Sequence, residues 1–243
     1  MSQSVRRAAR IVDSIAAEPK TVVQLATEFD LHRSTMFREL QSLEEVGYVR
    51  RRHDGTYSLG LHLAALAQAS LDSIDLREAG TEHARRLQQA VGNTVHIAAL
   101  MESAIIYAVK IEDAGGTRMY SSVGARVHPN CSGAGKAILA GLDDRQRDAV
   151  LQTATWTKYT DSTITTRAEL DAALVDVARQ GWAADDGEFE DFVNCVAVPI
   201  HSSVGVVGAL SLTAIRMRED LDQLKTRIPL MQQTAARISR ELG

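Results

Sequence analysis

Ser132-Gly133-Ala134-Gly135-Lys136 is the stretch whose residue types most directly suggest a ligand site. Glycines at the opening of a helix let free backbone N–H groups approach a bound group closely, and a helix N-terminus favours an anion such as a carboxylate. A nucleotide phosphate loop of the GxxxxGK[ST] kind is excluded. That pattern needs Gly at position 130 and Ser or Thr at 137, where this chain has Asn130 and Ala137. Cys195 stands mid-strand between Asn194 and Val196 with no His at a motif-like offset, so a buried thiol is expected rather than a nucleophile. The acidic run Asp185, Asp186, Glu188, Glu190 and Asp191 lacks the alternating oxygens and glycine of a calcium loop and reads as a solvated loop. Seven His are scattered without an i,i+4 pair, so His96, His128 or His201 could join a metal site only through the fold. No enzyme chemistry, cofactor or metal is expected.

Arginine supplies the other candidate chemistry. Arg6, Arg7 and Arg10, then Arg33 and Arg38, then Arg50, Arg51 and Arg52 all fall in the first quarter of the chain. Residues 1–60 hold nine Lys/Arg against eight Asp/Glu, whereas the other 183 hold eighteen against twenty-three. The mildly acidic total argues against coating nucleic acid by bulk charge, yet a local basic face is compatible with it. Apolar spacing predicts a helix over 4–17 stopped by Pro19, then a short helix capped by Thr21 with Val22, Leu25, Ala26 and Phe29 inward. After a tight connection at Asp30-Leu31, a third helix is predicted over 32–46, burying Met36, Leu40, Leu43 and Val46. Ser34, Thr35, Arg38, Gln41, Ser42 and Glu45 face outward, with Arg33 at the leading turn; Gly47 ends the helix. A β-hairpin over 48–59 with Asp54-Gly55 at its tip completes a winged helix-turn-helix.

That arrangement suits double-stranded DNA. A helix fits the major groove, where Arg33 and Arg38 could grip guanine edges and Ser34 and Thr35 could meet phosphates. Arg50, Arg51 and Arg52 on the wing would hold the neighbouring backbone. The alternative is a module that docks a protein partner.

The rest of the chain bounds the fold. Its 243 residues are 45% hydrophobic and 24% charged, with 16 Gly and 4 Pro, which excludes disordered and low-complexity classes and leaves room for two modest domains. Two Cys are too few for a disulfide scaffold and fit a reducing compartment. MSQSVRRAAR has no apolar core of a signal peptide and no window approaches 18 apolar residues, so a cytoplasmic protein without membrane contact is expected. Residues 61–74 read as an Ala/Leu-rich connecting helix whose apolar positions exceed one stripe, suggesting burial against a second copy. A helix over 75–91 follows, then strands over 94–101 and 104–111, a short strand over 119–123, helices over 134–142, 144–153 and 167–180, strands over 193–200 and 205–213, and a last helix over 220–242. One antiparallel sheet flanked by helices, an α+β domain over 75–243, fits these runs.

RSTMFRELQSLEEVGYV (33–49), GARVHPNCSGAGKAILA (124–140), DDGEFEDFVNCVAVPI (185–200) and VGVVGALSLT (204–213) together resemble the IclR family of bacterial transcriptional regulators over essentially the whole chain. The resemblance implies a winged helix-turn-helix over 1–60 and a GAF-like effector-binding and oligomerisation domain over 75–243. It implies an effector held by the backbone of Gly133 and Ala134, by Asp185, by Cys195 and by hydroxyls of Ser211 and Thr213, with Met119 and Val127 along the wall. Thr213 departs from the commoner Ser, adding a methyl that trims the pocket. Ser211 and Thr213, two apart, share one sheet face. The expected protein is a repressor, rather than an activator, whose affinity for operator DNA is tuned by a small organic acid. It is expected to act as a homodimer, and as a tetramer built from two dimers. A cytosolic GAF-type sensor with a protein-docking N-terminal module is the alternative.

Overall fold

The structure, a computed structural model, describes residues 3–72, 75–112, 121–152 and 154–243. The chain divides into two compact units, Met1–Ser70 and Leu71–Gly243.

The first unit packs three helices, α1 (Gln3–Ala17), α2 (Val22–Glu28) and α3 (Arg33–Glu45), against a small sheet of β1 (Lys20–Thr21), β2 (Val49–Arg51) and β3 (Thr56–Leu59) in the order β1-β3-β2. Ile11, Ile15, Leu25, Met36, Leu40, Val49 and Tyr57 form its core. Thr21 and Gln24 make a reciprocal capping box that starts α2, and Gly47, with φ at 76°, takes the left-handed conformation that ends α3. Two expectations are corrected. The wing has a third strand, β1, antiparallel to β3 through Lys20 opposite Tyr57 and Thr21 opposite Thr56. Val46 is 53% exposed instead of buried, because α3 ends at Glu45 and Val46 already lies in the cap. The helix α4 (His62–Asp72) starts where the His62 ring stacks on Tyr48, with centroids 5.7 Å apart. None of its side chains over 62–69 is buried, and Leu66 is exposed.

The second unit is built on a five-stranded antiparallel sheet. Its strands are β4 (Thr94–Met101), β5 (Ala104–Ile111), β6 (Ala183–Asp186), β7 (Val193–Ser202) and β8 (Gly205–Ile215), in the order β5-β4-β8-β7-β6. On one face α5 (Asp75–Val91) and α10 (Ile228–Leu242) bury Leu76, Leu87, Ile97, Val198, Leu210, Leu212 and Met231. On the other, α6 (Gly133–Leu139), α7 (Asp144–Leu151) and α8 (Arg167–Gln180) pack Ile138, Leu139, Val150, Leu170 and Leu174 over Ala98, Ala183, Ala197 and Ala209. That face of the sheet is paved with small residues, which leaves room for α6 and for a cavity beside it.

Here too the sequence expectations need amendment. The helix predicted over 220–242 is two helices, α9 (Leu221–Lys225), capped by Asp220, and α10, because Pro229 in the first turn of α10 cannot continue a preceding helix. Residues 121–123 are not strand, and Met119 and Tyr120, the start of that predicted strand, lie outside the described residues. The acidic run is not a solvated loop throughout. Asp185 and Asp186 end β6, and Asp185 and Glu188 are buried. No described helix is long and apolar enough to cross a membrane.

Candidate functional site

In the first unit, α3 turns Arg33, Ser34, Phe37, Arg38, Gln41 and Ser42 to solvent, while Thr35 is half-buried. Ser34 and Ser42 are engaged locally: the Ser34 hydroxyl lies 2.9 Å from His32 Nδ1, and the Ser42 hydroxyl donates to the Arg38 carbonyl at 3.1 Å. Among the described residues, Arg33, Arg38 and Gln41 have no side-chain hydrogen bond or ion pair within the chain. An open groove between α3 and the wing is lined by Arg33, Phe37, Arg38, Gln41, Arg51 and Tyr57, among others.

The three arginine clusters of the sequence are therefore not equivalent. Arg7 donates to Glu39 on α3 at 2.8 Å through Nε, and Arg10 lies over the Phe29 ring, 5.3 Å from its centroid. These two stitch the unit together rather than face a partner. On the wing, Arg50 Nε donates to the Ser58 hydroxyl at 3.1 Å, and the Arg51 backbone N–H donates to Glu44 Oε1 at 2.9 Å, tying the wing to the end of α3. The Arg51 side chain faces the groove, and Arg52 is exposed beside the turn. Free cations flanking a polar helix face are what phosphate and base-edge recognition requires.

The second unit encloses a cavity of about 210 Å³ between the small-residue face of the sheet, the start of α6 and the loop after β6. Strand register explains its floor. Thr213 of β8 lies opposite both Thr94 of β4 and Cys195 of β7, and Cys195 lies opposite Asp185 of β6. One row thus carries Thr94, Thr213, Cys195 and Asp185. The next carries His96 and Ser211 on the same face. Gly133 seats α6 on this floor, since a Cβ there would stand 3.2 Å from Cys195 Sγ and 3.5 Å from the Ala197 Cβ.

Five of the expected effector residues, Ala134, Asp185, Cys195, Ser211 and Thr213, line the cavity. Two do not: Gly133 sits behind the wall in the packing just described, and Val127 is buried in the core under α6 and α8 rather than along the wall. Met119 lies outside the described residues. The geometry adds His96, Tyr107, Arg126, His128, Phe189 and Glu190. The sequence singles out His96 and His128 only as scattered histidines and Glu190 only as part of the acidic run; alternation along β4 puts His96 on the face shared by Thr94 and Ala98. Without register it could not be joined to Ser211.

Electrostatics in the cavity favour neutral groups. Burial, and then the Glu188 charge, push the Asp185 carboxyl up to about 7, although Asp185 Oδ1 accepts the Glu188 N–H at 2.7 Å. Glu188 is itself held by Lys136 of α6, in an ion pair where both side chains are almost fully buried. Burial, with the Lys110 charge behind it, pushes His96 down to about 3. Its Nε2 lies 2.9 Å from the Ser121 hydroxyl, and its buried Nδ1 has no partner among the described residues. Burial and the Asp185 charge push the Cys195 thiol up to about 12, far from a reactive thiolate. His128 stacks on Phe189 with centroids 4.5 Å apart, and Tyr159 meets Phe189 edge-on at 4.8 Å, closing one end with an aromatic cluster. Arg126, itself exposed, also lines the cavity and makes no ion pair among the described residues. No group of three or more His, Cys, Asp or Glu among those residues could hold a metal ion.

Comparison with known proteins agrees with this two-part design. Residues 4–53 match the family model described as the IclR helix-turn-helix domain, and residues 68–240 match the one described as the bacterial transcriptional regulator IclR C-terminal domain. The chain is 32% identical over 247 residues to the HTH-type transcriptional regulator XynR of Escherichia coli, covering 99% of this chain and 97% of that one. It is 31% identical over 224 residues to the regulator KdgR of the same species, covering 91% and 85%. Among solved structures, the Thermotoga maritima IclR superposes with a TM-score of 0.80 at 26% identity, covering 98% of both chains.

Proposed function

The chain belongs to the IclR family of bacterial transcriptional regulators, and from that premise we propose that it represses transcription until a small organic acid occupies its C-terminal cavity. DNA binding and a C-terminal effector domain come with the family. The nature of the effector is read from the cavity. The single observation that carries it is that one cavity is lined both by Arg126, a cation without an ion pair among the described residues, and by a buried carboxyl, Asp185, pushed up to about 7. A carboxylate entering beside Arg126 gains a charge-assisted partner, and protonated Asp185 donates to its oxygen or to a hydroxyl or carbonyl on the same molecule. Ser211, Thr213 and Ser132 offer further hydroxyls, and the His128–Phe189 stack offers an apolar wall. About 210 Å³ is below the roughly 300–1,000 Å³ of drug-sized pockets and suits a metabolite-sized acid.

On the DNA side, Arg33, Ser34, Thr35 and Arg38 are assigned to the major groove and Arg50, Arg51 and Arg52 to the flanking backbone. One helix reads few base pairs, so a homodimer over two half-sites is part of the proposal, with α4, Ala/Leu-rich and unburied over 62–69, supporting self-association and a dimer of dimers as the larger form. The effector acts by linkage: preferring one arrangement of the reading heads, it shifts operator affinity, and DNA shifts effector affinity by the same factor. The repressing sense follows the family resemblance. A thermal-shift panel of small hydroxy, keto and aromatic acids against their amides tests the effector class, with Asp185→Ala in parallel. Acids should stabilise the wild type, the amides and the variant should show little response, and mobility shifts on DNA upstream of the gene should weaken when the active acid is added. An absence of response to every acid, with Asp185→Ala indistinguishable from wild type, removes the cavity assignment.

A further inference from the structure

Phe37 is a large apolar side chain, 40% exposed, among the exposed polar residues Arg33, Ser34, Arg38 and Gln41 of α3. On α3 it stands between Arg33 and Ser34, one turn before, and Gln41, one turn after, with Arg38 beside it. Met36, Leu40 and Leu43 already fill the core side of the helix, so Phe37 is not displaced core. Its neighbours Arg33, Arg38 and Gln41 keep their hydrogen-bonding groups uncommitted among the described residues. The matching partner must be polyanionic at its rim and carry small apolar groups between acceptors on its floor. The major groove of duplex DNA has this chemistry: phosphates on either side, purine N7 and O6 acceptors, and the 5-methyl group of thymine.

We infer that Phe37 is a base-reading residue that recognises a thymine through its 5-methyl group, an inference that rests on α3 being the recognition helix proposed above. Gln41 lies about 6 Å further along the helix axis at about 1.5 Å per residue, close to two base-pair steps, which sets the thymine within two steps of the base that Gln41 meets. Phosphate-gripping side chains hold register but carry no base preference, whereas a ring against a methyl does.

The test uses the full chain and one chemical change in DNA. Duplexes enriched from a random pool by the wild-type protein are resynthesised with deoxyuridine replacing thymine at one position at a time, which removes only the methyl. One thymine per half-site is expected to respond, with affinity falling about fourfold, the value of one buried methyl-sized group; the others should be neutral. Phe37→Ala should bind the thymine duplex more weakly and bind thymine and uracil versions equally, while Phe37→Leu keeps part of the discrimination. Unchanged thermal transitions in both variants tie the effect to contact rather than folding. Specific binding that is indifferent to every thymine methyl overturns the inference and leaves the recognition helix intact, as does discrimination that survives Phe37→Ala. A pool that yields no enriched sequence overturns the recognition helix itself and takes this inference with it.

Discussion

The two units treat charge in opposite ways. In the first, the cations on α3 and at the wing turn, Arg33, Arg38 and Arg52, face solvent with their donors unspent, whereas Arg7, Arg10 and Arg50 are engaged by Glu39, the Phe29 ring and Ser58. In the second, Lys136, Glu188, Asp185 and His96 are all drawn below the surface, where the first two pair and the last two are driven towards their neutral forms. Exposed charge costs little to maintain and interacts with any polyanion over about a Debye length. Buried charge is expensive unless matched, so it discriminates between small molecules. On the function proposed above, one surface suits capture of a polyanion followed by local reading, the other selection by shape and protonation.

The sharpest way to break this contrast is to unmatch the buried pair. Lys136→Met leaves the Glu188 carboxylate buried alone and should cost ~3–5 kcal/mol, read as a lower denaturant midpoint for the second unit; replacing both by apolar residues should recover much of it. A loss under 1 kcal/mol would mean that water reaches the pair.

Proton linkage comes next. Asp185 has a raised pKa in the folded chain, so its contribution is fully present below about pH 4 and is lost as pH rises towards about 7, a change on the order of 4 kcal/mol. His96 has a lowered pKa, so its contribution is present above about pH 6.5 and fades as pH falls towards about 3. The two slopes oppose one another in wild type. Relative to it, Asp185→Asn should gain stability as pH rises from 5 to 7, and His96→Gln should gain as pH falls over the same window. Unfolding curves at several pH values check both signs.

Changes to the first unit should act on DNA rather than on folding. Arg38→Ala should weaken binding to an enriched site by ~1–3 kcal/mol with a smaller loss on random duplex, and Arg52→Ala should lower the salt-dependence slope by about 1 without altering preference. Equal losses on both duplexes for Arg38 would reduce it to a phosphate contact. The smallest effect belongs to the exposed pair Lys158–Asp161: Asp161→Ala should stay within ~0.5 kcal/mol of wild type.

Where the sequence spoke through strong periodicity, the structure follows it closely. The predicted helices over 75–91 and 167–180 and strands over 94–101 and 104–111 coincide with α5, α8, β4 and β5. The misses arise where information lies outside the segment. Two-residue β1 exists only because β3 pairs with it. The break between α9 and α10 is marked by Pro229, which outweighs an apolar pattern that runs on through the whole segment. The acidic run looked solvated because Lys136, 52 positions before Glu188, gives no local sign of reaching it. Five of the fifteen residues that line the cavity were legible through the family resemblance, but His96, Tyr107 and Phe189 join it only through strand register and loop placement, and register is a property of pairs of segments.

The alignment of Thr94, Thr213, Cys195 and Asp185 into one rung, with His96 and Ser211 on the next, makes the chamber behave like a keyboard fixed in its frame. Single keys can be exchanged to suit a different small molecule, whereas inserting or deleting one position in β7 or β8 would flip the keys that follow it on that strand to the far side. Anyone converting this protein into a biosensor should therefore build combinatorial libraries at those rungs at constant strand length.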